Sequence, residues 1–298
     1  MDYQIISDGS CDLSLELREK YHIQIVPFYV SFDDEHYYKE IDEIDIRQVY
    51  ERMVKEPSVY PKTSLPSVQD YVEVFREHAK AGTGVICLTI TTTLSGSYNS
   101  ACNARDIVCE EYPEAKISVI NSKGATVFQR IQVIQAAKMK QAGYSYDKTV
   151  ETLEGKMRDT GRIFFTVGNL DYLQHGGRIG KLAGMAGTVL RLKPLITLKD
   201  GAIDSSGVAR SRKKSMQKVL ELLREYFAES GEAPEEFAYY VGFGYDEAEG
   251  KEFQKMVDEL LAEFGVEESS ELVQIGATIC VHTGPYALGV GIMRKEMV

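Results

Sequence analysis

Between Leu88 and Ala101 the chain reads LTITTTLSGSYNSA, an apolar run that passes into Thr91, Thr92, Thr93, Ser95 and Ser97 and then into a helical pattern. Hydroxyls gathered at a helix N-terminus suit an anion, because the first N–H groups there lack partners and the helix dipole is positive at that end. Gly96 lets a ligand approach the backbone closely. A plain Ser/Thr cap uses one such hydroxyl; this segment has five, and both readings stay open from these residues alone. Pro61-Lys62-Thr63-Ser64-Leu65-Pro66-Ser67 is a second polar turn ahead of a helix. In a doubly wound sheet, turns at the carboxyl ends of strands converge on one crevice, so Thr63 and Ser95 are expected to share one anion. Neither turn places a lysine as a P-loop does against phosphate charge, which favours a single carboxylate held by neutral donors over a triphosphate.

His282, in Val281-His282-Thr283-Gly284-Pro285, is a third candidate. It donates to a carboxylate when protonated or bridges through one nitrogen when neutral; a structural histidine at a strand end is the competing reading. The other histidines show no metal-ligand spacing, and no metal site is expected. Residues 176–218 carry Arg178, Lys181, Arg191, Lys193, Lys199, Arg210, Arg212, Lys213, Lys214 and Lys218 against Asp200 and Asp204, a local +8 in a chain of −11. Such a run is either a solvated face or a docking surface for an acidic or phosphate-bearing partner. Three catalytic motifs fail. Gly176 to Lys181 resembles a P-loop but has His175 in place of its first glycine and Leu182 in place of Ser/Thr; Gly242-Phe243-Gly244 lacks the third dinucleotide glycine, which is Glu247; Ser95 has Thr93 and Ser97 where a nucleophile elbow has glycines.

These side chains need elements to carry them. The first half alternates short apolar runs with amphipathic stretches: a strand over 3–7, a helix over 13–21, a strand over 23–32, and strands over 84–90 and 116–121. Ser67 to Ala81 carries a Ser cap, Asp70 three residues on and Gly82 as a stop, and is predicted to be a helix. This is the grammar of a doubly wound, mainly parallel α/β sheet. From about Ile163 the pattern changes to a second, α+β domain: Asp200-Gly201 marks a hairpin, helices are expected over 212–230 and 246–264, and strands over 237–241, 272–275 and 278–282. The expected division is 1–160 and 161–298, meeting over a substantial interface.

Composition narrows the function. With 298 residues, 44% hydrophobic and 27% charged, the chain has material for roughly two domains with proper cores. Its 45 acids against 34 basic residues argue against general binding to nucleic acid or an anionic membrane. No apolar run reaches the ~20 residues that a membrane span needs, and the start, MDYQIISDGSCD, lacks a basic n-region and an apolar h-region; a soluble, cytoplasmic protein without stable membrane insertion is expected. Five cysteines without a C-x-x-C pair point to reduced thiols, with Cys102 and Cys109 on one helix face as small hydrophobes.

Taken in order, Ser7-Asp8-Gly9-Ser10-Cys11-Asp12-Leu13, Thr63-Ser64-Leu65-Pro66-Ser67, Leu94-Ser95-Gly96-Ser97-Tyr98, Gly176-Gly177-Arg178-Ile179 and His282-Thr283-Gly284-Pro285 resemble the DegV family of bacterial fatty-acid-binding proteins, the lipid-binding subunits of fatty acid kinase. The resemblance spans nearly the whole chain. It implies a two-domain DegV-like fold that binds a long-chain fatty acid between its domains as ligand, with no cofactor and no catalysis of its own, and presents the carboxylate to a separate ATP-binding kinase subunit. It implies Thr63 and Ser95 as direct carboxylate donors, with Ser64, Gly96, His282 and Asn121 in the same polar network. Arg178, Arg210, Arg212 and Lys213 resemble positions that face the kinase. Leu65 stands where Gln is common, and Tyr286 where a small Gly is common; Tyr286 either narrows the pocket or adds a phenolic hydrogen bond near the head group. The alternative from the residues alone is an enzyme for a small carboxylate or ester, with Ser95 as nucleophile and His282 as base.

Overall fold

The computed structural model describes residues 2–185 and 192–296, so Arg191 of the basic stretch lies outside the described residues. The chain begins with β1 (Tyr3–Asp8), a 3-10 turn (Gly9–Cys11), α1 (Leu15–Tyr21), β2 (Gln24–Val26), β3 (Tyr29–Ser31), β4 (Tyr38–Lys39), α2 (Ile46–Lys55) and β5 (Lys62–Ser64). Next come α3 (Val68–Lys80), β6 (Gly84–Thr89), α4 (Ser97–Glu111), β7 (Ile117–Asn121), α5 (Thr126–Gln141), α6 (Tyr146–Glu154) and α7 (Lys156–Asp159). The remainder holds β8 (Arg162–Thr166), α8 (Asp171–His175), β9 (Lys193–Lys199), β10 (Ala202–Ala209), α9 (Arg212–Ser230), β11 (Phe237–Phe243), α10 (Glu247–Glu263), β12 (Glu271–Gln274), α11 (Ala277–Thr283) and β13 (Leu288–Arg294).

Strands β2-β1-β6-β7, in that order, form a parallel sheet. Its side chains alternate between two cores. Ile6, Val85, Cys87 and Val119 pack with Tyr71, Phe75, Ala101 and Val108 of α3 and α4; Ile5, Ile86, Leu88 and Ile120 pack with Val127, Ile131 and Ile134 of α5. Strand order reverses between β1 and β6, which places a crevice at their carboxyl ends. The segment Thr91 to Ser97 leaves β6 there. The Ser67 cap and Asp70 form the expected reciprocal capping box on α3.

A second sheet of six strands runs β10-β9-β8-β13-β11-β12. Asp200 (φ 50°) and Gly201 (φ 84°) make the β9–β10 hairpin, as their left-handed tendency requires. One face is covered by α9 and α10 through Val219, Leu223, Phe253 and Val257. The other faces α5, which is wedged between the two sheets with residues buried around its whole circumference, including Gln129, Arg130, Gln132 and Gln135.

Three expectations change. The strand over 23–32 is broken at Pro27, which has no N–H to continue a ladder: β2 stays in the parallel sheet while β3 joins β4 and β5 in a small antiparallel sheet. The polar turn over 61–67 is therefore partly strand β5, hydrogen-bonded to β3, and does not follow a parallel strand. The run over 278–282 is helix α11, not strand; its residues from Ala277 to Val281 are all buried, so neither period is visible in the pattern.

Two buried carboxylates tie the small sheet and the β1 turn to α11. Glu40 accepts from Phe28 N at 3.2 Å, Thr278 N at 3.1 Å and Thr278 Oγ1 at 2.6 Å. It also lies where a Cβ on Gly9 would be. Asp12 accepts from Thr126 Oγ1, and the Arg130 guanidinium donates to the Asp12 carbonyl. Burial, partly offset by these hydrogen bonds, pushes Asp12 up to about 7, with the charge of Glu40 adding to the rise; burial likewise raises Glu40. A carboxyl whose folded pKa is raised supports the fold fully below its unfolded pKa and loses that contribution as pH climbs to the folded value. Urea denaturation of wild type and Asp12→Asn across pH is expected to show wild type losing a few kcal/mol relative to the variant between about pH 4 and pH 7, then a level difference above it. A difference independent of pH would show that Asp12 is ionised throughout.

Candidate functional site

A cavity of about 230 Å³ lies among the crevice of the parallel sheet, the inner face of the six-stranded sheet, β5 and α11. One water needs about 10–15 Å³ on this measure, so the space fits an organic molecule. Its walls are mostly apolar: Phe28, Leu65, Ile90 and Leu94 on one side, Ile163, Phe165, Leu198 and Ile203 on the other, with Val127 and Ile279 between.

The polar lining divides by what each group already bonds. Thr126 donates to Asp12, Thr278 to Glu40 and Thr283 to the carbonyl of Ile279, so these hydroxyls are engaged. What remains clusters. Thr63 Oγ1 lies 2.8 Å from His282 Nε2. Ser95 Oγ accepts from Ser97 N at 3.2 Å, which leaves its proton to donate. Ser64 also lines the space. Arg178 Nε donates to the Leu94 carbonyl at 3.0 Å and Nη1 to the Gly176 carbonyl at 2.6 Å, while Nη2 has no partner among the described residues. Burial first, then the Arg178 charge, pushes His282 down to about 4, so its ring is neutral. The close approach is possible because Gly176 has no side chain: a Cβ there would lie 2.2 Å from His282 Nδ1.

The other hydroxyls of the β6–α4 segment are used in the scaffold. Thr91 and Thr93 donate to the Gly201 carbonyl of the hairpin in the second sheet, and Ser97 donates to the buried Asp8 carboxylate at 2.7 Å. Of the five, Ser95 alone lines the cavity. Asn121 is directed elsewhere: its Nδ2 donates to Thr92 Oγ1 at 3.3 Å and its Oδ1 accepts from Lys123 N, outside the cavity lining. Gly96 also stands outside the lining, with Leu65 against it at 3.3 Å from a would-be Cβ.

The basic residues separate as well. Arg178, expected on a docking surface, lines the cavity. Arg212 is held in a bidentate pair with Glu249, both bonds 2.6 Å, and is half-buried. Lys181 pairs with Asp204 at 2.7 Å. Arg210 and Lys213 are exposed and have no side-chain partner among the described residues. Tyr286 neither narrows the cavity nor reaches its polar end; it is 46% exposed and borders a smaller neighbouring hollow. Sequence reasoning missed that Arg178 sits beside His282, although the paired glycines before it were the available signal. The Ser95–His282 pair that an enzyme of the serine-nucleophile kind needs is not made, since His282 Nε2 bonds Thr63. Among the described residues no group of three or more His, Cys, Asp or Glu could hold a metal ion, and no helix is long and apolar enough to cross a membrane. All five cysteines are free, Cys102 and Cys109 half-buried on α4.

Fold and cavity define a mixed α/β protein with an internal, mostly apolar cavity. The chain belongs to the DegV family, whose profile (uncharacterised protein, DegV family) it matches over residues 2–295. It is 32% identical to a DegV domain-containing protein of Clostridium acetobutylicum, over 98% of each chain. Among solved structures it is similar to a fatty acid (stearic acid)-binding protein from Eubacterium ventriosum, with 46% identity, 98% of each chain covered and a TM-score of 0.92. It is also similar to a fatty-acid-binding DegV family protein from Thermus thermophilus, with 29% identity, 99% and 100% coverage and a TM-score of 0.87.

A histidine whose folded pKa lies below its unfolded value resists protonation, so acid lowers stability as pH falls from about 6.5 towards 4. Ring-nitrogen NMR is expected to find His282 neutral from neutral pH down to about 5 and titrating near 4. Titration near 6.5 would place the ring in water.

Proposed function

We propose that this protein binds one long-chain fatty acid, with the carboxylate at Thr63, Ser95 and Arg178 and the tail along the apolar walls, and presents that carboxylate to a separate ATP-binding kinase subunit. The observation that carries the reading is the union of a mostly apolar cavity with one cluster of polar side chains, Thr63, Ser95, Arg178 and His282, at its lining. The stearic acid-binding relative with which it shares 46% identity supports the choice of ligand.

The geometry supplies a division of labour. With the ring proton on Nε2, neutral His282 donates to Thr63 Oγ1, and the threonine hydroxyl is left to donate to the carboxylate. His282 is thus a positioning residue. Ser95 donates a second bond, and Arg178 adds a positive charge held in place by two backbone carbonyls. Burying ~15 methylenes at ~0.8 kcal/mol each gives about 12 kcal/mol gross, reduced by ordering and desolvation. Tail burial drives binding, and the polar cluster orients the head.

In the presented state one carboxylate oxygen attacks the γ-phosphorus of ATP on the kinase; an O–P bond forms and ADP leaves, giving an acyl phosphate. Arg210 and Lys213, exposed and without a side-chain partner among the described residues, are the basic residues proposed to meet that partner, in place of the paired Arg212. The small sheet with residues 1–160 and the six-stranded sheet with residues 161–298 serve as the two domains between which the ligand lies.

Native mass spectrometry of the purified protein, before and after delipidation and reloading with palmitate, tests the reading. A single added mass of one fatty acid is expected; a protein that carries no acyl chain and takes up none overturns it. Ser95→Ala is expected to weaken palmitate binding by about 1.5–3 kcal/mol, roughly 10- to 100-fold, with an unchanged melting temperature. Binding equal to wild type would remove Ser95 from the head-group site.

A further inference from the structure

The run Ser7-Asp8-Gly9-Ser10 at the end of β1 stands outside the cavity lining, yet one of its carboxyls holds the strand-to-helix loop that enters it. Asp8 is fully buried. Its Oδ2 accepts from Ile90 N at 2.9 Å and from Ser97 Oγ at 2.7 Å, so one oxygen takes both ends of the segment between β6 and α4. Its Oδ1 accepts from Gln129 Nε2 at 2.8 Å and lies 2.6 Å from Ser10 Oγ, which fixes the carboxyl against α5 and the β1 turn. Between the two pinned ends lie Leu94 and Ser95, which line the cavity together with Ile90.

The link from Asp8 to Ser95 is short. Ser97 donates its hydroxyl proton to Asp8, so the Tyr71 hydroxyl of α3, 2.7 Å from Ser97 Oγ, donates to Ser97 and commits that proton. Ser97 N in turn donates to Ser95 Oγ at 3.2 Å. Gly96 at the cap of α4 has no side chain to hold the helix start, and Asp8 holds it from behind through Ser97. Thr91 and Thr93 anchor the first half of the segment to the Gly201 carbonyl, whereas the Ser95 hydroxyl is anchored through Ser97. The Leu94 carbonyl, in the same segment, accepts from Arg178 Nε at 3.0 Å. The serine hydroxyl and the guanidinium of the head-group cluster thus both take their places from a loop whose two ends share one carboxylate oxygen.

We propose that Asp8 is a positioning residue for the head group: by holding Ile90 and Ser97 on one oxygen, it sets where the Ser95 hydroxyl and the Leu94 carbonyl that anchors Arg178 stand. The proposal rests on the fatty-acid reading and deepens it. Asp8 does not touch the ligand and acts through Ser95 and Leu94. A hydrogen bond weakens steeply when its donor turns out of line. Slack in this loop therefore costs the carboxylate its partners and leaves the tail in contact with apolar walls, most of which belong to other elements.

The test measures dissociation constants for palmitate and 1-hexadecanol, equal in chain length and different in head group, with delipidated full-length protein. Wild type is compared with Asp8→Ala, Ser97→Ala, Ser95→Ala and the double variant Asp8→Ala/Ser95→Ala. Asp8→Ala is expected to lose about tenfold in affinity for palmitate while 1-hexadecanol stays within about twofold. Ser97→Ala, which frees one end of the loop, is expected to lose about threefold for palmitate with the alcohol again unchanged. Added to Ser95→Ala, Asp8→Ala is expected to cost palmitate no more than about a further threefold, because the two changes act on one hydrogen bond. Should Asp8→Ala not fold, Ser97→Ala against the two ligands decides alone. Equal losses for the acid and the alcohol, a full further tenfold loss in the double variant, or wild-type affinity for palmitate in the folded variants overturns the role given to Asp8. A wild-type protein that binds no palmitate overturns the fatty-acid reading itself, a result distinct from these.

Discussion

Helix α5 is buried around its whole circumference while carrying polar side chains, most of whose groups find partners, and the molecule is arranged around that constraint. Gln129 bridges the β1 turn, donating to Ser7 Oγ and Asp8 Oδ1 and accepting from Ser10 Oγ. Gln132 donates to the Ser122 carbonyl, and Gln135 accepts from Glu296 N. Unpaired, each of these amides would cost about 1–3 kcal/mol. Paired, they fix the helix in register with the parallel sheet on one side while Gly291 admits it against the other. The first turn of α5 contributes Ala125, Thr126 and Val127 to the cavity, so the space is bounded by an element that neither sheet can displace without breaking buried hydrogen bonds.

The same economy of polar groups shapes the lining. Asp12 and Glu40 lie outside it, yet each takes up the hydroxyl of a threonine that lines it. Burial raises the proton affinity of both carboxyls, and both stand behind the lining of a space proposed to hold an anion. Neutral His282 and half-buried Arg178 complete the balance: one cation, fixed by carbonyls, stands among neutral donors. A fully buried guanidinium with no bound anion would be costly; partial exposure lets Arg178 remain charged when the cavity is open to water.

Much of this was legible before the structure. The parallel strands, the capped helix after Ser67 and the Asp200-Gly201 hairpin followed from local chemistry, since each depends on residues that are neighbours in the chain. What failed was where burial hides the pattern. Gln129, Gln132 and Gln135 recur every three residues and, polar as they are, face the core. The β-branched run at 278–282 reads as a strand and is a helix with no exposed face. Of the residues expected around the head group, Thr63, Ser64, Ser95 and His282 line the cavity, whereas Gly96 and Asn121, the latter implied by the family resemblance, lie outside the lining. Arg178 carried a charge that suggested the surface; the Leu94 carbonyl, 84 residues away in sequence, and the nearby Gly176 carbonyl turn it inward.

Thr63 and His282 meet across 219 positions of chain, with the small sheet reaching over to helix α11. A ribosome-bound chain that lacks its final strands has the hydroxyl turn but not the imidazole behind it. Contacts of such long range form late and slowly, so the half of the molecule that is synthesised first can acquire structure without acquiring a competent pocket. The cavity of this architecture is closed only by a chain that already extends through α11.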